Sequence, residues 1–249
     1  MSKNSNVFQE VYPFTTEVIN GYFPNLDFGD KTVLTVGSSL DHAFNALVLG
    51  AGKVVVYDIN KNTEAFYKIK RDKILSVPRE ELYDEIIKCR DVPFSSDLFD
   101  KGSVTRMNNY LQSDAKYELL RDRLKSDNVE FVLGDIFNMD EALGDEKFDR
   151  IVFSNILQYL EFFAKNEDPY EFLGKNFEKW KEHLNDDGIL QLLYLYSFNR
   201  DSVNYKHPLA TYNLAQVIRA LKSDYLGIHF FDDCFNTGTD AVVTYTKRG

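Results

Sequence analysis

The stretch VLTVGSSLDHAFNALVLGAGKVVVYDIN, residues 33–60, limits the fold of this chain more than any other feature. The β-branched run KTVLTVG, 31–37, is short and lacks polar alternation, so it reads as a buried strand. Residues 38–50 follow as a helix with Ala43, Ala46 and Leu47 on one face. KVVVYDIN, 53–60, is a second strand, and 62–75 a second helix. A β-α-β-α start of this kind builds a parallel sheet.

Further strand candidates are VEFVLGD at 129–135, FDRIVFSN at 148–155 and GILQLLYLYS at 188–197. A helix spans 168–183 and ends at LNDDG. The tail offers LGIHFF and DAVVTYTKR, joined by the Gly/Asp/Asn-rich DDCFNTGT, a link short enough for an antiparallel pair. The expectation is an α/β fold: a doubly wound, mostly parallel seven-stranded sheet with a C-terminal antiparallel pair, in one domain over 1–249. Two segments lie outside that pattern. Residues 5–22 read as a helix with Val7, Val11, Phe14 and Val18 at helical spacing, interrupted by Pro13, within an N-terminal helical segment 1–28. Residues 76–127 exceed an ordinary crossover and carry REELYDEIIKC and AKYELLRDRLK, so they read as a helical insertion, a lid or substrate-binding element.

A net charge of −10 with no dense basic run argues against nucleic acid as a partner and against anionic membrane surfaces. Cys89 and Cys234 form no CxxC pair, and His42, His183, His207 and His229 show no ligand spacing, so no metal site is expected. MSKNSNVFQEVYPF lacks the apolar core of a signal peptide, and no apolar run has membrane-spanning length. The reading is cytoplasmic, without integral membrane contact. Aromatic residues are 14% of the chain, enough to fill a core and line a pocket as well. Exposed aromatics on the insertion would suit a homodimer interface equally.

In open α/β sheets ligands bind beyond the carboxyl ends of the strands. Four stretches meet there: Gly37-Ser38-Ser39-Leu40-Asp41, Asp58-Ile59-Asn60, Gly134-Asp135-Ile136-Phe137 and Ser154-Asn155-Ile156-Leu157. Asp58 ends the second strand 21 residues past Gly37, placed to accept from both hydroxyls of a ribose or, alternatively, to cap a helix. The turn after Gly37 lacks the further glycines that a dinucleotide pyrophosphate needs for close backbone approach. A nucleoside ligand without phosphate, such as S-adenosylmethionine (AdoMet), demands less. Ser38 and Ser39 would bond its carboxylate and Asp41 its ammonium; Asp41 serves equally as a first-turn helix stabiliser. Asp135 would accept from an adenine amino group, with Ile59 and Phe137 around the ring, although such an aromatic also suits plain core. Ser154 and Asn155 sit where cofactor and acceptor would meet, and Tyr159 either points to the same cleft or packs. Tyr194 and Tyr196, on one face of their strand, are candidates for the acceptor pocket. His42 reads as a surface helical histidine or a general base.

Taken in order, these stretches resemble the class I AdoMet-dependent methyltransferases over roughly residues 30–75 and 129–249. The matching positions are Gly37, Asp58, Asp135 and FDRIVFSNIL, and LNDDGILQL resembles the family's L-x-x-G-G-x-L turn with Asp187 in place of the first glycine. The Gly-Ser-Ser-x-Asp turn followed by VVVYDIN is more similar to the AdoMet:diacylglycerol 3-amino-3-carboxypropyl transferases and their relatives, over some thirty residues. The resemblance implies an AdoMet-dependent transferase on a small-molecule acceptor, with S-adenosylhomocysteine as the product of methyl transfer. The methyl and the Cγ of the amino-acid arm are both open to in-line attack, so aminocarboxypropyl transfer to a hydroxyl is the alternative chemistry, and a non-catalytic AdoMet-binding protein the alternative class. An oxidoreductase on the same fold is a further reading.

Overall fold

The structure is a computed structural model, and it describes residues 9–126, 128–199, 205, 212–235 and 237–249. Seven strands form one sheet: β1 (Thr32–Val36), β2 (Lys53–Asp58), β3 (Val129–Leu133), β4 (Phe148–Val152), β5 (Leu184–Leu195), β6 (Leu226–Asp232) and β7 (Thr239–Thr246). Their order is β3-β2-β1-β4-β5-β7-β6. β2 runs parallel to β1 and β3, and β5 parallel to β4, while β7 is antiparallel to both β5 and β6. This is the doubly wound, mostly parallel seven-stranded sheet with a C-terminal antiparallel pair expected from the sequence. The chain divides into two compact units, Met1–Ile136 and Phe137–Gly249.

In the first unit, Val33, Leu34 and Val54 to Val56 are fully buried, as continuous apolar strands should be. The helix α2 (Asp41–Val48) is buried on every side, including Asp41, His42 and Asn45. The segment 76–127 explains why. After α3 (Asn62–Ser76) it forms α4 (Arg79–Ile87), α5 (Lys101–Met107), a 3-10 turn at Asn109–Leu111 and α6 (Asp114–Leu124). The Asn45 amide donates to Asn108 Oδ1 (2.7 Å) and to the Asp41 carbonyl (2.6 Å), tying this segment to α2. Tyr110, Tyr117, Leu120 and Leu124 are buried in the packing. Both tyrosines are core rather than surface.

The N-terminal segment departs from expectation. Within its described part, an α-helix forms only at α1 (Ile19–Tyr22), with a 3-10 turn at Phe23–Asn25; Val7 lies outside the described residues. Pro13 withholds a donor from any helix. The remaining backbone groups find partners elsewhere. Val11 N–H donates to the Pro93 carbonyl (2.9 Å) and Ser95 N–H to the Val11 carbonyl (2.9 Å). The backbone groups of Pro13 and Thr15 are likewise held by side chains described below.

In the second unit, β4 to β7 pack with α9 (Pro169–Glu182) and α10 (Leu214–Leu221), after the shorter α7 (Met139–Leu143) and α8 (Leu160–Ala164). Asp168 caps α9 by accepting from Tyr170 and Glu171 N–H at 2.9 and 3.0 Å. β5 begins at Leu184, which pairs with Phe148, and its pairing with β4 resumes at Ile189, so residues 185–188 form a bulge. Asp187 there has φ 58°, the left-handed conformation that a glycine would adopt freely.

Candidate functional site

The turn after β1 is shaped by two non-glycine residues in the left-handed region, Ser38 at φ 43° and Leu40 at φ 68°. Each such residue costs about 1–3 kcal/mol and persists only where its surroundings hold it. Two aspartates do the holding, in different ways.

Asp58, half-buried at the carboxyl end of β2, accepts from Ser38 N–H (3.0 Å) and the Thr63 hydroxyl (2.9 Å) through Oδ2, and from Asn60 N–H (2.8 Å) through Oδ1. Burial raises its carboxyl above the ordinary 3.8, opposed by the bonds from Asn60, Thr63, Ser38 and Ile59. Gly37 is required by this contact: a Cβ there would lie 2.3 Å from Thr63 Cγ2 and 2.4 Å from Asp58 Oδ2. Asn60 is buried, its amide donating to the Glu10 carbonyl (2.8 Å) and its Oδ1 accepting from Asn62 N–H (2.9 Å). Ile59 beside it is 42% exposed, and Leu133, which pairs with Asp58 in register, is 66% exposed.

Asp41 is fully buried, and the cation it meets belongs to the protein. Its Oδ1 lies 2.6 Å from Lys70 Nζ and accepts from the Tyr110 hydroxyl (2.7 Å); its Oδ2 accepts from Thr15 N–H (2.6 Å). This corrects the expectation that Asp41 would bond a ligand's ammonium: no part of the side chain reaches solvent. Ser39 is equally buried, its hydroxyl accepting from Asp41 N–H (3.2 Å) and its carbonyl from Lys70 Nζ (2.8 Å). Of the three residues expected to face the amino-acid end of a ligand, Ser38 alone remains half-exposed.

Lys70 is the residue that sequence reasoning missed. Desolvation lowers its ammonium below the ordinary value, against the pull of Asp41. Its Nζ also donates to the Pro13 carbonyl (2.9 Å) and stands 4.4 Å from the Phe14 ring centre. Three acceptors match the three N–H bonds of an ammonium, which favours the charged form. The signal was there in α3: Phe66, Lys70 and Ile74 share one helical face at i, i+4, i+8, and Phe66 and Ile74 are core.

His42 is neither at the surface nor open to a ligand. It is 1% exposed, with Nε2 3.0 Å from Glu17 Oε2 and 3.1 Å from the Tyr22 hydroxyl.

At the end of β3, Gly134 N–H donates to the Asp58 carbonyl (3.0 Å), and a Cβ on Gly134 would lie 2.3 Å from the Tyr57 hydroxyl. That hydroxyl donates to the Asp135 carbonyl (3.2 Å), and Asp135 itself is half-buried. Ile136 is buried.

In the second unit, Phe137 packs against Phe163, Phe172 and Trp180 at centroid distances of 4.8 to 5.6 Å. It is 7% exposed and behaves as core, the plainer of the two readings. Ser154, Asn155 and Tyr159 are half-buried at and just beyond the end of β4, Tyr159 within a 3-10 turn at Ile156–Tyr159. The Asn155 amide donates to the Tyr196 hydroxyl (2.7 Å), and the Tyr205 hydroxyl donates to the Tyr196 carbonyl (2.6 Å). Tyr194 and Tyr196 separate here. Tyr194 is fully buried with its hydroxyl on Asp240, whereas Tyr196 is half-exposed beside Asn155.

Among the described residues no group of three or more His, Cys, Asp and Glu is placed to hold a metal, and no helix is long and apolar enough to cross a membrane.

No protein-family model matches the chain, and no curated protein does. Solved structures are similar at low identity. The N-methyltransferase NodS from Bradyrhizobium japonicum WM9, in complex with S-adenosyl-L-homocysteine, aligns at TM-score 0.48 and 11% identity over 90% of this chain and 83% of that one. A putative S-adenosylmethionine dependent methyltransferase from Listeria monocytogenes aligns at 0.45 and 13%, over 90% and 93%. TehB from Haemophilus influenzae aligns at 0.43 and 16%, over 88% and 58%.

Proposed function

We propose that this chain is an AdoMet-dependent transferase, with methyl transfer to a small-molecule acceptor as its chemistry. The observation that carries the reading is the Asp58 carboxylate at the carboxyl end of β2, half-exposed and bonded to Ser38 N–H of the turn after β1. In an open α/β sheet that is where a ribose is read. Ribose hydroxyls would add to the carboxylate or replace the Thr63 hydroxyl, which can rotate away, unlike the backbone donors on the same side chain. The exposed Ile59 offers an apolar surface for an adenine ring, with Asp135 as acceptor for its amino group.

With Asp41 neutralised by Lys70, the amino-acid arm would meet Ser38 and backbone groups of the turn, not a carboxylate. In the second unit, Asn155 and Tyr196 form a polar pair at the ends of β4 and β5. Catalysis here is positioning of an acceptor in line with an already activated sulfonium carbon. A base is needed only where the acceptor carries a proton to lose.

The test is calorimetric titration with AdoMet, S-adenosylhomocysteine and NAD, followed by acceptor screening with methyl-labelled and carboxyl-labelled AdoMet in parallel. Binding of the first two without NAD supports the reading. Label transferred only from the methyl assigns methyl transfer, and label from the carboxyl assigns aminocarboxypropyl transfer. Binding with no transfer to any acceptor favours a non-catalytic AdoMet-binding protein, and NAD binding alone overturns the reading in favour of an oxidoreductase.

A further inference from the structure

The first unit contains a buried ion pair that the proposed chemistry does not use, and it touches four separate segments. Lys70 lies on α3; Ser39 and Asp41 on the turn after β1; Pro13 and Thr15 on the N-terminal segment; Tyr110 on the segment between α5 and α6. Lys70 and Asp41 are both fully buried, among the rings of Phe14, Phe44 and Phe66. A buried pair of this kind contributes little net stability compared with apolar side chains of the same volume. It does impose geometry, because its bonds are directional and each partner is fixed by the others.

The geometry it imposes falls on the strained turn. Leu40, at φ 68°, lies between Ser39, whose carbonyl Lys70 binds, and Asp41, whose carboxylate Lys70 binds. Ser38, at φ 43°, is held from the opposite side by Asp58. A glycine-rich turn needs no such clamp, since glycine adopts positive φ freely.

We propose that Lys70 is a positioning residue for the ligand's amino-acid arm: through Ser39 and Asp41 it holds the turn after β1 in its binding shape, and residues 13–15 are part of that device. The inference rests on the AdoMet reading above. Lys70 touches no ligand; it acts through the turn.

A ligand pair separates this role from plain stability. S-adenosylhomocysteine carries the amino-acid arm, and adenosine lacks it. Both are titrated calorimetrically into wild type, Lys70→Met, and the double variant Lys70→Met with Asp41→Asn, at a temperature where each is folded by circular dichroism. Lys70→Met strands a buried carboxylate and is expected to lower the melting temperature. The double variant removes both charges and is expected to recover most of that loss. In either variant that folds, adenosine should bind within about twofold of wild type, while S-adenosylhomocysteine weakens by about tenfold or more, the worth of one strong hydrogen bond. Affinity for the arm then stays lost while stability returns, which a merely structural role would not produce. If Lys70→Met fails to fold, the double variant carries the comparison, and Tyr110→Phe, which removes one hydroxyl from Asp41, should show a smaller loss of the same kind. An unchanged ratio of the two affinities overturns the positioning role and leaves the AdoMet reading standing. Failure of wild type to bind S-adenosylhomocysteine overturns both.

Discussion

The turn after β1 and the loops after β4 and β5 are built on opposite plans. In the turn, the Asp41 and Ser39 side chains face inward and are held by protein partners: Asp41 by Lys70, Tyr110 and Thr15, and the Ser39 hydroxyl by Asp41 N–H, while the Ser39 carbonyl accepts from Lys70 Nζ. Leu40 is held at positive φ by that network, and Ser38 by the bond from its N–H to Asp58. After β4 and β5, Asn155 and Tyr196 share a bond while remaining half-exposed, and rings dominate the surroundings, with Tyr194 and Tyr196 4.6 Å apart and Phe198 5.2 Å from Tyr205. The first plan suits a part whose shape must be constant. The second has the mix of apolar rings and a few polar groups common to small-molecule pockets.

That contrast breaks most visibly at Lys70. Lys70→Met should cost about 3–5 kcal/mol, because the Asp41 charge is left buried without its partner. Urea denaturation measures it, and adding Asp41→Asn should restore most of the loss. Next in size is Gly37→Ala, where the new methyl meets Thr63 and Asp58 at 2.3 and 2.4 Å. The turn and Asp58 must part, at about 1–3 kcal/mol by the same measurement. In the second region the matching change is mild. Tyr196→Phe removes the hydroxyl that accepts from Asn155 and should cost about 1 kcal/mol or less, since the amide can reach water. Smallest and opposite in sign is Ser38→Gly. It relieves a left-handed serine and should be stabilising by up to about 1 kcal/mol, visible as a small rise in melting temperature.

Asp58 adds a pH dependence with a defined sign. Its carboxyl is raised above 3.8 by burial, so the folded protein holds this proton more tightly than the unfolded chain does. Its contribution to stability is therefore greatest below 3.8 and falls as pH rises through the raised value. Ligand binding runs the other way. On the proposed reading, ribose hydroxyls would donate to the ionised carboxylate, so affinity for S-adenosylhomocysteine should increase as pH rises through the same window. Calorimetry at stepped pH should show that rise in wild type and not in Asp58→Asn.

The sheet was legible because β1 and β2 are apolar runs flanked by turn residues, and both the parallel start and the closing antiparallel pair follow from link lengths. The misreadings have physical causes. LNDDG is not among them: residues 185–188 bulge between the paired Leu184 and Ile189, with Asp187 in the glycine-like conformation. Residues 9–18 carry a helical spacing, but their backbone groups are claimed by Ser95, Lys70 and Asp41, which no local pattern discloses. The same long-range partners decided the site. Asp58 ends an apolar strand and Asp41 opens a helix, and neither local pattern discloses that Lys70, on the core face of α3, meets Asp41 in the interior while Asp58 stays half-exposed.

The measurement that bears most directly on the central claim is titration of S-adenosylhomocysteine into wild type beside Asp58→Ala, both verified as folded. The account predicts saturable one-to-one binding to wild type and a loss of about tenfold or more in the variant, as expected when a carboxylate that receives two hydroxyls is removed. Equal affinity in both proteins, or no binding to wild type, would contradict it.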